Sequence, residues 1–113
     1  MKRNITINTA KNIRVINKKL KSLDELFGEY KIIHCDFLKI DCEGCEYQIL
    51  KNTSIKTLKK INYIAMECHL FNKKMIDDYQ QLKSRLNKTY IIKELNNPVH
   101  AYLKFLFLTA SCR

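Results

Sequence analysis

The segment at residues 37–47 constrains the fold of this chain more than any other; it reads Phe-Leu-Lys-Ile-Asp-Cys-Glu-Gly-Cys-Glu-Tyr. Its apolar start predicts a strand at Phe37–Asp41 that is buried on both faces, as in a parallel sheet. Gly44 lets the backbone turn, and a helix is predicted from about Glu46 to Lys51. Because ligands of open α/β sheets lie at the carboxyl ends of strands, the acids at this turn are candidates for chemistry.

The other elements follow from hydrophobic periodicity and from turn residues. A strand is predicted near Ile13–Ile16, followed by a short helix that a capping box at Ser22 starts and Gly28 ends. The order of elements after that helix predicts an α/β domain with right-handed crossovers between parallel strands and an antiparallel last pair. These later elements are the strand Phe37–Asp41, the helices 46–51 and 54–60, the strand Ile61–His69, the helix Lys73–Lys88 and the strands Tyr90–Leu95 and Leu103–Ala110.

Length and charge exclude several classes of protein. With 113 residues, 46% of them hydrophobic, the chain has room for one small domain with a real core. The net charge of +10 comes mostly from scattered lysines, and the basic segment Lys11–Lys21 lacks aromatic residues on which bases could stack, so we predict no nucleic-acid partner.

No apolar run follows the charged N-terminus, and Tyr102–Ala110 is too short to span a bilayer. We therefore predict a cytoplasmic chain with no membrane partner.

The cysteines favour packing over chemistry. Five cysteines form an odd number in a chain without a secretory signal, so a disulfide framework is not expected. Cys42 and Cys45 form a C-x-x-C pair, but a zinc site would need a second such pair, so we predict no metal site from the cysteines. A thioredoxin-like redox pair would fit this position between strand and helix, although the neighbouring acids would raise the thiol pKa. Metal or redox use remains the alternative to packing.

Three stretches resemble one enzyme family. Residues 37–47 closely resemble the Lys-Ile-Asp-x-Glu-Gly-x-Glu signature of the FkbM-type methyltransferases, which depend on S-adenosylmethionine. Ser22–Leu26 resembles the short helix before that signature, and Ile64–His69 resembles the strand after it, which often ends in Glu-x-His. The resemblance covers residues 13–110. It implies the C-terminal half of a Rossmann-like class I methyltransferase sheet, ending in an antiparallel strand pair.

The cofactor half of that family has no counterpart in the sequence. Family members bind S-adenosylmethionine through an upstream glycine-rich turn and an acid that holds the ribose. Here no glycine precedes Gly28. We therefore expect residues 1–113 to form a single partial domain that does not bind the cofactor alone. The expected partner is an upstream methyltransferase half, or a second copy paired through the edge of the Phe37–Asp41 strand.

The resemblance implies methyl transfer to a hydroxyl or amine of a small molecule or sugar. Such an enzyme positions the acceptor and removes its proton. Asp41 and Glu43 are the predicted catalytic residues, and Glu67 and His69, which end the adjacent strand, would share that task or bind a divalent cation. Glu43 and Glu46 could instead cap the following helix, where the dipole favours a carboxylate. The alternative function is a non-enzymatic α/β module that binds a partner chain.

Overall fold

The structure, a computed structural model, describes residues 13–14, 16, 19–42, 45–96 and 105–112. Glu43 and Gly44 therefore lie outside the described residues. Of the strand predicted near Ile13–Ile16, the described residues Ile13, Arg14 and Ile16 belong to no helix or strand, so that prediction is wrong for them. Ile13 and Ile16 are 49% and 37% exposed, so these two apolar side chains do not form the buried face of a strand.

Four helices and four strands make up the described part of the chain. The predicted elements from Leu23 onward are present, with ends that differ from the prediction by a few residues. In chain order they are α1 (Leu23–Glu29), β1 (Leu38–Ile40), α2 (Cys45–Asn52), α3 (Ile55–Leu58), β2 (Tyr63–His69), α4 (Lys73–Leu86), β3 (Tyr90–Asn96) and β4 (Phe105–Cys112).

The described strands form one sheet in the order β1-β2-β4-β3. β1 and β2 are parallel, with Leu38 opposite Ile64 and Ile40 opposite Met66. β4 lies between β2 and β3 and runs antiparallel to both. The predicted α/β class is therefore confirmed, and β1 is an edge strand among the strands described.

The core lies where the helices pack on the sheet. Burial alternates along β2, with Ile64, Met66 and Cys68 fully or almost fully buried. Leucines and aromatic residues of the helices and of β3 complete this core, a cluster that includes Leu23, Phe27, Leu50, Leu58, Tyr79, Leu82, Leu86 and Tyr90. Within the described ranges, every helix is too short or too polar to cross a lipid bilayer.

β1 is buried on one face only, which corrects the prediction for Phe37–Asp41. Ile40 is buried and Leu38 half-buried, whereas Lys39 is exposed and Phe37 is 56% exposed. Alternate residues of a strand point to opposite faces, so Phe37 and Lys39 share the exposed face. The Phe37 ring stacks there on the Tyr63 ring, with 5.3 Å between centroids. An apolar run along the chain did not reveal this difference between the two faces.

The start of α1 is held by tertiary contacts rather than by a capping box. Ser22 is the N-cap residue, as predicted, but its side chain makes no capping hydrogen bond, and the helix continues past Gly28 to Glu29. Instead the Leu23 amide donates to Thr53 Oγ1 at 2.9 Å. Thr53 is fully buried, so this bond joins α1 to the end of α2.

Asp24 joins α1 to the start of α3 and makes stability depend on acidity. Its carboxylate accepts hydrogen bonds from the Ser54 amide at 2.7 Å, the Ser54 hydroxyl at 2.5 Å and the Thr57 hydroxyl. The Ser54 hydroxyl, followed by that of Thr57, holds the pKa of Asp24 below its ordinary value of 3.8. Because the folded pKa is the lower one, this contribution to stability is complete above the unfolded pKa and is lost as pH falls through the folded pKa.

We therefore expect Asp24→Asn to flatten the acid limb of the stability curve. The variant should be less stable than the wild type at neutral pH, and the difference should shrink as pH falls below about 4. Urea unfolding measured between about pH 7 and pH 2.5 tests this expectation. Equal differences at every pH would contradict it, and Glu25→Gln, next to Asp24 and exposed, is the matched control.

Candidate active site

The carboxyl ends of β1 and β2 bring three of the four predicted catalytic residues together. Asp41 follows β1 directly, and Glu67 and His69 lie in the last three residues of β2. Because Ile40 is opposite Met66 in the parallel pair, the next residue on each strand is Asp41 and Glu67. One carboxylate oxygen of Asp41, one of Glu67 and a ring nitrogen of His69 all lie within 4.8 Å of one another. The fourth residue, Glu43, lies outside the described residues.

The three side chains differ in exposure and crowd negative charge. Asp41 is exposed, Glu67 is half-buried, and His69 is only 6% exposed. Burial is the largest cause that raises the pKa of Glu67, and the charge of Asp41 and a hydrogen bond with it raise that pKa further. His69 and Lys39 act in the opposite direction. Two carboxylates this close favour sharing a proton or a cation over carrying two uncompensated charges.

A buried carboxylate orients His69. Glu46 Oε1 lies 3.2 Å from His69 Nδ1 and accepts a hydrogen bond from the His69 amide at 3.4 Å. The His69 carbonyl accepts a 2.7 Å bond from the Tyr47 hydroxyl. Glu46 and Tyr47 are in the first turn of α2, and Glu46 is fully buried. The helix therefore fixes both the ring and the backbone of His69.

Glu46 is a site residue that the sequence pointed to only indirectly. Its position at the start of α2 favoured a helix cap, whereas the structure directs its carboxylate to β2. The sequence did contain one indication of this role: Glu46 matches the last acid of the FkbM-type signature. The partner, His69, is 23 residues further along the chain, so no local spacing links the two.

Cys42 and Cys45 form a disulfide, which corrects the expectation that the chain has none. The turn between β1 and α2 brings their Cα atoms to 5.4 Å, inside the range that a disulfide can bridge. The argument from an odd cysteine count ignored this local proximity. Cys42 Sγ also lies 3.5 Å from Glu46 Oε2, but a disulfide sulfur carries no proton to donate, so this is a contact.

The described free cysteines suit packing rather than reactivity. Cys68 is fully buried in β2, and burial raises the pKa of its thiol to about 12. Burial also raises the pKa of the Cys35 thiol. Because the thiolate is the reactive form, neither group is prepared for nucleophilic or redox chemistry at neutral pH.

A separate cavity lies away from the acids. It has a volume of about 330 Å³ and lies between α2 and α4, lined by residues that include Tyr47, Lys51, Asp78 and Arg85. Arg85 is engaged there, because it donates 2.5 Å hydrogen bonds to the carbonyls of Leu50 and Thr53 at the end of α2. Asp41, Glu67 and His69 do not line this cavity, so we place the candidate site at the strand ends.

The family assignment follows from comparison with known proteins. Residues 2–101 match the family model of the Methyltransferase FkbM domain, a range that includes α1, the signature segment and all of β2. No curated protein and no solved structure matches the chain significantly. The match covers nearly the whole chain and confirms the resemblance found at residues 37–47. The chain belongs to the FkbM methyltransferase domain family.

Proposed function

We propose that this chain forms the acceptor side of an S-adenosylmethionine-dependent methyltransferase. The acceptor would be a hydroxyl or amine of a small molecule or sugar. The observation that carries the proposal is the cluster of Asp41, Glu67 and His69 at the carboxyl ends of two parallel strands, in a chain of this family. That is where open α/β sheets hold their ligands.

The three side chains suit the acceptor chemistry. S-adenosylmethionine supplies the methyl group in such enzymes, and the protein must align the acceptor and take up its proton. Asp41 is exposed, so its carboxylate can accept a hydrogen bond from an acceptor hydroxyl and then its proton. Glu67 lies beside Asp41, and the buried bond to Glu46 holds the ring of His69 in one orientation. Holding the reacting groups in a fixed geometry raises the rate of methyl transfer, because less orientational freedom is lost when the transition state forms.

The described residues do not fit the cofactor by themselves. β1 is the edge of the described sheet, so no described strand lies on the side where the resemblance places the glycine-rich turn. We propose that this turn and the ribose acid come from an upstream methyltransferase half that pairs with β1. The order β1-β2-β4-β3, with β4 inserted antiparallel between β2 and β3, supports placing these strands in the C-terminal half of a Rossmann-like sheet.

A second candidate function is a non-enzymatic α/β module that binds a partner chain. The exposed side chains of Ile33 (84% exposed) and Phe37 near the edge strand favour it, because an unpaired edge is a template for another chain. The two functions differ in one respect that can be measured. A binding module would not need Asp41, whereas an acceptor site would.

Titration with S-adenosylmethionine tests the proposal. We expect no measurable binding by the chain alone, and binding with methyl transfer when it is co-expressed with a family segment that carries the glycine-rich strand-turn-helix. Calorimetry reports binding, and a labelled methyl group reports transfer to a panel of sugars and small hydroxylated or amino compounds. Micromolar binding by the chain alone would overturn the assignment of the cofactor half. A complex that binds the cofactor and methylates none of the panel would support the binding module instead.

A further inference from the structure

The cluster at the strand ends has the donor set of a metal site. Asp41 and Glu67 each offer a carboxylate oxygen and His69 offers a ring nitrogen, all within 4.8 Å of one another. Oxygen ligands with one imidazole suit hard or intermediate divalent cations such as Mg²⁺ and Mn²⁺. We propose that Asp41, Glu67 and His69 bind one divalent cation, with Mn²⁺ as the ion best suited to this mixed set.

The geometry requires only small side-chain movements. Ligand atoms bound at about 2.0–2.2 Å from one ion lie roughly 3–4.4 Å apart. The ligand atoms of the cluster all lie within 4.8 Å of one another, so at most a short approach brings them to these separations. Asp41 is exposed and Glu67 half-buried, so both carboxylates can rotate toward the ion without disturbing the core. Three protein ligands leave coordination positions for water or for a substrate oxygen.

The setting of His69 is a second observation that points to a metal. Histidine ligands usually donate their other ring N–H to a carboxylate, which fixes the tautomer and the ring orientation. Glu46, fully buried, holds His69 in this way at Nδ1, with 3.2 Å between the atoms. With Nδ1 donating to Glu46, Nε2 would be the coordinating nitrogen of the proposed site. A group of surface acids that binds no ion has no need of a buried carboxylate, such as that of Glu46, to orient its histidine.

The charges also favour a cation at this position. Two carboxylates lie side by side at the strand ends, and one of them is half-buried. Besides His69, the exposed Lys39 of the neighbouring strand β1 lowers the pKa of Glu67. A divalent ion between the oxygens would offset the repulsion directly, which a screened lysine at the surface does less effectively.

A neighbouring donor group does not compete for the same ion. Cys42, Cys45 and Glu46 also lie close enough to hold a metal. However, the two sulfurs are joined in a disulfide, and a metal binds thiolates rather than a disulfide. In this state the strand-end cluster is the better site, and it selects for ions that prefer oxygen and imidazole.

The role of the ion in catalysis depends on the proposed function. A cation held at the strand ends would bind the acceptor oxygen and lower its affinity for its proton, the usual effect of a Lewis acid on a bound hydroxyl. Asp41 and Glu67 would then hold the ion against the acceptor through one oxygen each, and the second carboxylate oxygen of the exposed Asp41 would take up the acceptor's proton. Cation binding itself can be measured without any methyl donor.

Titration of the purified chain with MnCl₂ is the direct test. Loss of the free Mn²⁺ electron paramagnetic resonance signal counts bound ions, and calorimetry gives the affinity. We expect one saturable ion per chain and a higher melting temperature with Mn²⁺ than with EDTA. Glu67→Gln should weaken binding at least tenfold, and Glu46→Gln should weaken it by roughly 10- to 100-fold through loss of orientation of His69. Asp77→Asn, an exposed acid of α4, should bind as the wild type does.

The outcomes separate this inference from the proposed function. No saturable binding, or equal binding by Glu67→Gln and the wild type, overturns the cation site. Glu67 is only half-buried, so this variant should fold; a far-ultraviolet circular dichroism spectrum like that of the wild type checks this. If EDTA does not change methyl transfer by the complemented enzyme, the proposed function stands and the catalytic role of the cation is rejected. Mn²⁺ binding without methyl transfer would do the reverse.

Discussion

Asp41→Asn is expected to lower methyl transfer by roughly a hundredfold or more in the proposed complex of this chain with an upstream cofactor half. Asparagine has nearly the same shape as aspartate, but it carries no charge and cannot take up a proton. Asp41 is exposed at the end of β1 and belongs to the cluster with Glu67 and His69. The loss should therefore reflect chemistry at the strand ends rather than a change of fold. Initial rates of transfer from a labelled methyl donor measure it.

Two sets of control variants make this result specific. Asp77→Asn removes an exposed acid from α4 and should leave the rate unchanged. Cys42→Ala and Cys45→Ala should also leave turnover nearly intact, because no cysteine supplies a reacting group in the proposed step. An active Asp41→Asn enzyme combined with inactive cysteine variants would contradict the acid site and favour redox use of the C-x-x-C pair.

Leu50→Ala is expected to lower the free energy of unfolding by about 3 kcal/mol, the middle of the range for a leucine removed from a core. Leu50 is fully buried on α2, one turn beyond the residues that hold His69. Its removal leaves a cavity in the hydrophobic core, on a helix that contacts α4 and α1. Because native domains are stable by only about 5–15 kcal/mol, this loss is large. Urea unfolding at neutral pH measures it.

An exposed leucine supplies the comparison for this variant. Leu95 on β3 is 59% exposed, so Leu95→Ala should change stability by no more than about 0.5 kcal/mol. If the two variants lose the same stability, α2 is not packed as the structure describes it. The orientation of His69 by Glu46 and Tyr47 would then lose its support, since both residues come from that helix.

The sequence alone was sufficient for the features that are written in local patterns. Helical spacing of apolar residues predicted α4, and the turn residues between apolar runs predicted most of the other elements. The signature at residues 37–47 led to the family and to acids at a strand end, because each family position sits at a fixed distance along the chain. Parallel pairing then explains why Asp41 and Glu67 meet, since the carboxyl ends of neighbouring parallel strands share one edge of the sheet.

Other features depended on contacts between residues that are far apart in the chain. Glu46 and His69 are 23 residues apart, and Leu23 and Thr53 are 30 apart, so neither bond has a signature in local spacing. The cap of α1 failed as a local prediction, because the Ser22 side chain makes no capping hydrogen bond, and the first amide of the helix, that of Leu23, donates to the distant Thr53. Likewise, the disulfide depends on how tightly the chain turns after β1, which cysteine counting does not measure.

The residues of this chain by themselves determined its α/β class, its family and the identity of the acids at the strand ends, because periodicity and motif spacing act within one segment. The tertiary structure decided which face of β1 is buried, which cysteines are joined and which carboxylate holds His69. Those outcomes depend on packing and on hydrogen bonds between segments, whose free energies appear only when the helices close on the sheet.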